Sequence, residues 1–139
     1  MTILNLTQHN ATPAQITEGV VDLVGSDKDL LVKLLTFNTL PTVEEIESRA
    51  QKIAYIASDL YIEEKNNWIE SGLDEDDFEQ YYAMIGGAPF LMGPLEVALK
   101  KFDIIPVYAF SVRDSVDVKQ ADGSVKKTAV FNHGGFIGL

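Results

Sequence analysis

Cysteine is absent from this sequence of 139 residues. Disulfides, thiolate nucleophiles and thiolate metal sites are therefore excluded. The absence suits a reducing compartment, and a cytoplasmic location is the expectation. Histidine is nearly as scarce: the chain has two, His9 and His133, far apart in sequence. A histidine-based metal centre would lack its third ligand. Neither a metal nor a cofactor is expected. No apolar run approaches the roughly 20 residues needed to cross a bilayer. The opening MTILNLTQHNATPAQ lacks a basic region followed by a long apolar stretch, so it does not read as a secretory leader, and no membrane contact is expected. Also missing are the three spaced glycines of a dinucleotide fingerprint, the Gly-Lys-Ser/Thr of a phosphate loop and the G-x-S-x-G elbow of a serine hydrolase.

Basic residues are few, and the deficit is uneven. Eleven Lys and Arg face twenty-one Asp and Glu, for a net charge of −10. Residues 1–40 carry four acids and two bases, residues 41–80 twelve acids and three bases, and residues 81–139 five acids and six bases. A field this negative repels long nucleic acids, whose binding relies on several contacts between basic side chains and phosphates. A small anion held near the C-terminal third is still compatible with it, because local groups decide there. The acidic middle reads as a solvated face. Its run Asp74-Glu75-Asp76-Asp77 lacks the spacing and glycine of a calcium loop.

What is present describes one globular domain, residues 1–139. Hydrophobic residues make up 46% and charged residues 23%, enough apolar material for a packed core. Residues 2–7 suit a buried strand. Thr12-Pro13-Ala14-Gln15 reads as a helix start with a capping box, ending near Gly19. Residues 20–24 form a short strand or a connector. Ser26 is placed to cap a helix running to about Leu35. Thr42 and Glu45 form a second capping box, and Ile46, Ala50, Ile53, Ala54, Ala57, Leu60 and Tyr61 recur at helical spacing. Residues 66–79 read as a partly helical surface connection. Residues 81–85 form a strand, Gly86-Gly87-Ala88-Pro89 a sharp turn, and Phe90 to Lys101 a helix. Further strands follow over 104–110, 112–119 and 125–131, the last two joined by the turn residues Asp122-Gly123.

This order gives an α/β fold. It is a Rossmann-like, mostly parallel sheet flanked by helices, with a C-terminal antiparallel hairpin. In such sheets ligands bind beyond the carboxyl ends of the strands. Three segments fall there: Gln8-His9-Asn10, Gly86-Gly87 and Ser111-Val112-Arg113. The glycines let backbone approach a ligand, and the following helix offers free N–H groups. Arg113 can pair with a phosphate through two parallel hydrogen bonds. Each feature also has a plainer reading: Gly-Gly as a tight turn, His9 as a capping residue, Arg113 as a surface ion-pair partner, His133 as structural.

The C-terminal run from Ile104 to Phe136 carries a resemblance. It has a proline-led strand over Pro106 to Ala109, then Ser111 to Arg113. An acidic-hydrophobic strand follows over Val116 to Val118, a D-G-S-V turn over Asp122 to Val125, and a closing V-F-x-H-x-x-F over Val130 to Phe136. In that order these elements resemble the end of small stand-alone proteins of the CRISPR-associated Rossmann-fold (CARF-like) group. The first strand, His9 and the T-P-x-Q helix start resemble them more loosely, and residues 25–80 do not match. The resemblance implies a homodimer that binds cyclic oligoadenylate second messengers, as a ring nuclease or a messenger sponge in antiviral signalling or its suppression. It places His9, Gly86, Gly87, Ser111 and Arg113 along the ligand and gives His133 no assigned role. Cleavage would proceed by attack of a ribose 2′-hydroxyl on the neighbouring phosphorus, without a metal. His9 would act as acid or base and Arg113 would stabilise charge. Alternatives are a nucleotide-binding module without turnover, and a phage or prophage partner-binding protein with no enzymatic activity.

Overall fold

The computed structural model describes residues 1–138. Five strands form one sheet: β1 (Thr2–Leu6), β2 (Val20–Asp22), β3 (Tyr81–Ile85), β4 (Ile105–Lys119) and β5 (Val125–Gly138). Their spatial order is β2-β1-β3-β4-β5. β1 pairs in parallel with β2 and β3, β3 pairs in parallel with β4, and β5 runs antiparallel to β4. The expected mixed α/β architecture is present. Between the strands lie α1 (Pro13–Thr17), α2 (Gly25–Leu35), α3 (Val43–Glu70) and α4 (Pro89–Lys100).

Strand alternation sorts the core into two layers. Leu4, Leu6, Ala83 and Ile85 pack with α2, α3 and α4 on one face, where Leu31, Ile53, Leu91, Leu95 and Leu99 are fully buried. Ile3, Val20, Met84 and Val107 form a smaller cluster on the opposite face, with Ala11, Tyr82 and Phe136 against it. Buried positions of α3 are Ala50, Ile53, Ala54, Ile56, Ala57 and Ser58, a stripe at helical spacing that ends well before the helix does. Beyond the stripe, Tyr61, Trp68, Phe78 and Tyr81 meet edge-on or stacked, with ring centroids 4.8–5.9 Å apart, and pin the end of α3 to β3. The segment read as partly helical is therefore the last turns of α3 followed by a single 3₁₀ turn, Glu75–Asp77.

Several local expectations need correction. The Thr12–Gln15 capping box is complete in both directions. The Thr42 box is half formed: Thr42 Oγ1 accepts from the Glu45 N–H, but the Glu45 carboxylate turns to Arg49 at 2.8 Å. The guanidinium offers a charged partner one turn on, which outcompetes a single backbone N–H. Ser26 does not cap α2. Val24 occupies that position without a side-chain bond, and Gly25, the first residue of α2, takes a positive φ of 61°. β4 does not stop at Phe110. It continues to Lys119 opposite β5, with one irregularity between Phe110 and Ser111, where Gly134 is the unpaired residue of β5. A side chain at Gly134 would press against Phe110 and Val112, at 2.9 Å from each. The hairpin turn falls at Asp122-Gly123 as expected: Gly123 has φ 88°, and the Asp122 carboxylate accepts from the Ser124 N–H and hydroxyl.

Candidate functional site

In this sheet the chain moves from β1 to β2 on one side, then crosses back over β1 to β3 on the other. The crevice between the carboxyl ends of β1 and β3 is thus the topological switch point of the fold. A hollow of about 470 Å³ lies there. The loop after β1 supplies Gln8, His9 and Asn10, the turn after β3 supplies Gly86 and Gly87, and Tyr108 and Ala109 of β4 close one side. Sequence positions nearly eighty apart are brought together because parallel strands end on the same edge.

The β1 loop is built on Asn5, a fully buried polar residue. Its amide nitrogen donates to the His9 carbonyl and to Asp22 Oδ1, both at 2.7 Å. Its amide oxygen accepts from the Thr7 N–H at 3.0 Å and the Thr7 hydroxyl at 2.7 Å. Asp22 in turn accepts from the Ala11 N–H. Every member of this network is satisfied, which is what makes a buried polar cluster stabilising. Lys28 on α2 reaches under the same loop, its ammonium donating to the carbonyls of Thr7 at 3.1 Å and Gln8 at 3.4 Å. Gln8 donates to Thr36. The His9 carbonyl is thus fixed, while its residue stays exposed to solvent.

The opposite wall is the Gly86-Gly87 turn. Gly87 has φ 145°, a conformation that side chains rarely adopt. Gly86 is less constrained: a Cβ there would stand 3.4 Å from Thr7 Cγ2, close to ordinary van der Waals contact. α4 begins directly afterwards with Pro89 in its first turn and no side-chain cap. Pro89 has no N–H and the Leu91 N–H donates to the Ala88 carbonyl, which leaves the Phe90 N–H and the positive dipole end at the start of α4.

Charge favours this hollow for an anion over the cavity beside α3. Among the described residues no carboxylate lines it, in a protein of net charge −10. The cavity of about 350 Å³ beside α3 is bordered by Asp22, Asp27, Glu63 and Glu64. Tyr108 adds a hydroxyl group. It donates to Glu96 at 3.3 Å, and burial, with the neighbouring Glu96 carboxylate, holds its pKa above the ordinary value.

Gln8, His9, Asn10, Gly86 and Gly87 therefore converge as expected, whereas Ser111 and Arg113 do not line the hollow. They were placed after a strand end, and the strand does not end there. Both follow Ala109 on the same face of β4, by alternation. Arg113 is four residues further out, about 13 Å along the strand at 3.3 Å per residue. Ser111 pairs across the ribbon with His133, and Arg113 with Phe131. The His133 side chain is 6% exposed, its Nε2 lies 2.9 Å from Glu18 Oε1, and its Nδ1 is buried without a partner. Lys28, Asn5 and Tyr108 were not singled out from sequence. Nothing in their local pattern marks them, since each acts through a residue distant in the chain.

Among the described residues no helix is long and apolar enough to cross a membrane. No curated protein and no solved structure matches the chain. A family model described as the Uncharacterized protein MJ1673 family matches residues 1–137.

Proposed function

For a chain that belongs to the Uncharacterized protein MJ1673 family, we propose nucleotide binding in the hollow between the ends of β1 and β3, with a cyclic oligoadenylate as the ligand. One observation carries this reading: the switch-point crevice is walled by a glycine turn that leads into α4, and among the described residues no carboxylate lines it. A phosphate there meets backbone N–H groups near Gly87 and the dipole end of α4. Lys28 lowers the potential cost of that charge from beneath the loop. Gln8 and Asn10 supply amides for base or sugar recognition. The ring form of the ligand, and adenine as its base, come from the CARF-like resemblance of the C-terminal half. Ser111 and Arg113 continue the same strand face outward, where they would meet ligand extending beyond the hollow.

Cleavage in this site uses the ligand's own nucleophile. A ribose 2′-oxygen attacks the adjacent phosphorus, the bond from phosphorus to the 5′-oxygen breaks, and a 2′,3′-cyclic phosphate remains. His9 takes the 2′-hydroxyl proton, and the leaving oxygen is protonated from solvent. Holding the attacking oxygen in line supplies much of the rate, and the N–H groups near Gly87 stabilise the charge on phosphorus.

A second reading is retention of the intact ring. It is favoured by the scarcity of proton-transfer groups: His9 is the one imidazole lining the hollow, and the Tyr108 hydroxyl is already engaged with Glu96. Incubation with labelled cyclic oligoadenylates of several ring sizes decides. Linear product supports cleavage, a retained ring supports sequestration, and no binding at any ring size removes both.

A further inference from the structure

Beyond Phe110, strands β4 and β5 leave the body as a two-stranded ribbon, and nearly every residue from Ser111 to Asn132 is exposed. Such a ribbon is marginally stable alone in water and calls for a covering surface. Its two faces differ. Residue pairs on one face are Ser111–His133, Arg113–Phe131, Ser115–Ala129, Asp117–Lys127 and Lys119–Val125, more polar than apolar although Phe131 and Val125 are exposed there. The back face carries Val112, Val116 and Val118, each 40–42% exposed, together with Val130. Alternation along the ribbon groups these four valines on one face, between Asn132, Asp114, Thr128 and Lys126.

We infer that the back face of this ribbon docks on the same face of a second copy of this chain, the two ribbons crossing antiparallel about a two-fold axis near Val116. The charges on the face select that partner and that direction. The face holds one acid, Asp114, paired with Val130 and accepting a hydrogen bond from the Asn132 amide at 2.8 Å, and one base, Lys126, paired with Val118. They sit on the rungs either side of the Val116–Thr128 rung. Antiparallel ribbons centred on Val116 bring the Asp114 rung of each copy against the Val118–Lys126 rung of the other, so both charge pairs are opposite in sign. Parallel ribbons would set each acid near its own copy, and like charges in an interface are costly. A self-complementary patch of this kind is what a two-fold contact requires. Gly134 supports the face, since the unpaired glycine leaves room for Phe110 and Val112 to lie side by side. The two-fold then falls on the ribbon's back and leaves Ser111 and Arg113 open on the other side. The inference is independent of what the hollow holds.

Sedimentation of the full chain over a dilution series tests it. The expected result is a reversible dimer that dissociates on dilution. Asp114→Lys and Lys126→Glu should each raise the dissociation constant at least tenfold, with unchanged circular dichroism. The double variant should recover most of the loss, because the two residues do not touch within one chain. A monomer at every concentration would overturn the inference. So would a dimer indifferent to both single changes, which would place the contact elsewhere. Single changes that weaken the dimer without recovery in the double variant would overturn the antiparallel pairing.

Discussion

The amide of Asn5 joins two strands and a loop: it donates to Asp22 Oδ1 on β2 and to the His9 carbonyl, each at 2.7 Å. Because Asn5 is wholly buried and all its groups are paired, the network is sensitive to any change in hydrogen-bonding character. Asn5→Asp replaces a donor with a carboxylate facing the Asp22 carboxylate. Asn5→Ala removes one of the donors to Asp22 and to the His9 carbonyl, leaving Asp22 the Ala11 N–H and the carbonyl the Thr7 hydroxyl. Loss of a buried, satisfied group costs about 2–3 kcal/mol, and the Asp variant should lose more through like-charge repulsion. Urea denaturation of the two variants checks the order. Ligand affinity should fall in both, since the His9 loop loses its anchor.

His133 makes the opposite prediction. Its imidazole tethers β5 to the end of α1 through Glu18, and its ring lies 4.9 Å from that of Phe136. The Glu18 side chain is 43% exposed, so the bond to it contributes little after solvent screening. The buried Nδ1 is a standing cost. His133→Phe keeps the ring contact and removes the unpaired nitrogen. Its stability should stay within about 1 kcal/mol of the parent. A loss well beyond that in chemical denaturation would show that the tie to Glu18 holds the ribbon's base in place.

The two glycines of the β3–α4 turn should separate on substitution. Gly87→Ala forces a side chain into φ 145° and should cost roughly 1–3 kcal/mol in backbone strain. Gly86→Ala asks only that Thr7 give slightly, from a contact of 3.4 Å. Thermal melts should rank Gly87→Ala clearly below Gly86→Ala. In ligand titrations both should weaken binding, Gly86→Ala through the lost close approach.

How much of this was legible in the sequence depends on the range of the interaction. The Thr12–Gln15 cap, the glycine turn and the Asp122-Gly123 hairpin are each set by residues within a few positions, and all three were readable. So was the meeting of His9 with Gly86-Gly87, since parallel strands put their ends on one edge. Asn5 was hidden because a lone polar residue in an apolar strand gives no sign of which side chain will meet it. Lys28 reads as a solvated helix residue until α2 docks beneath the β1 loop. Ser111 and Arg113 were misplaced because Ser111, Asp114 and Ser115 interrupt the apolar alternation. Pairing with β5 carries the strand through them regardless.

Tyr108 links the hollow to a measurable titration. Burial first, and the Glu96 carboxylate second, disfavour the phenolate, so its pKa is raised above 10.0. The unfolded chain releases this proton at the ordinary value, so between the two values the folded state holds more of it. The linkage therefore makes stability fall as pH rises. The Tyr108 contribution is complete below the unfolded pKa and is lost as pH climbs through the folded one. Ultraviolet titration of the parent and of Tyr108→Phe should show one phenol ionising later than the others, missing from the variant. Above the ordinary tyrosine range the variant should lose less stability than the parent. Glu96→Gln should move that late ionisation part of the way back, leaving the burial effect in place. A Tyr108 phenol that ionises with the rest would mean that the side chain does not close the hollow as described.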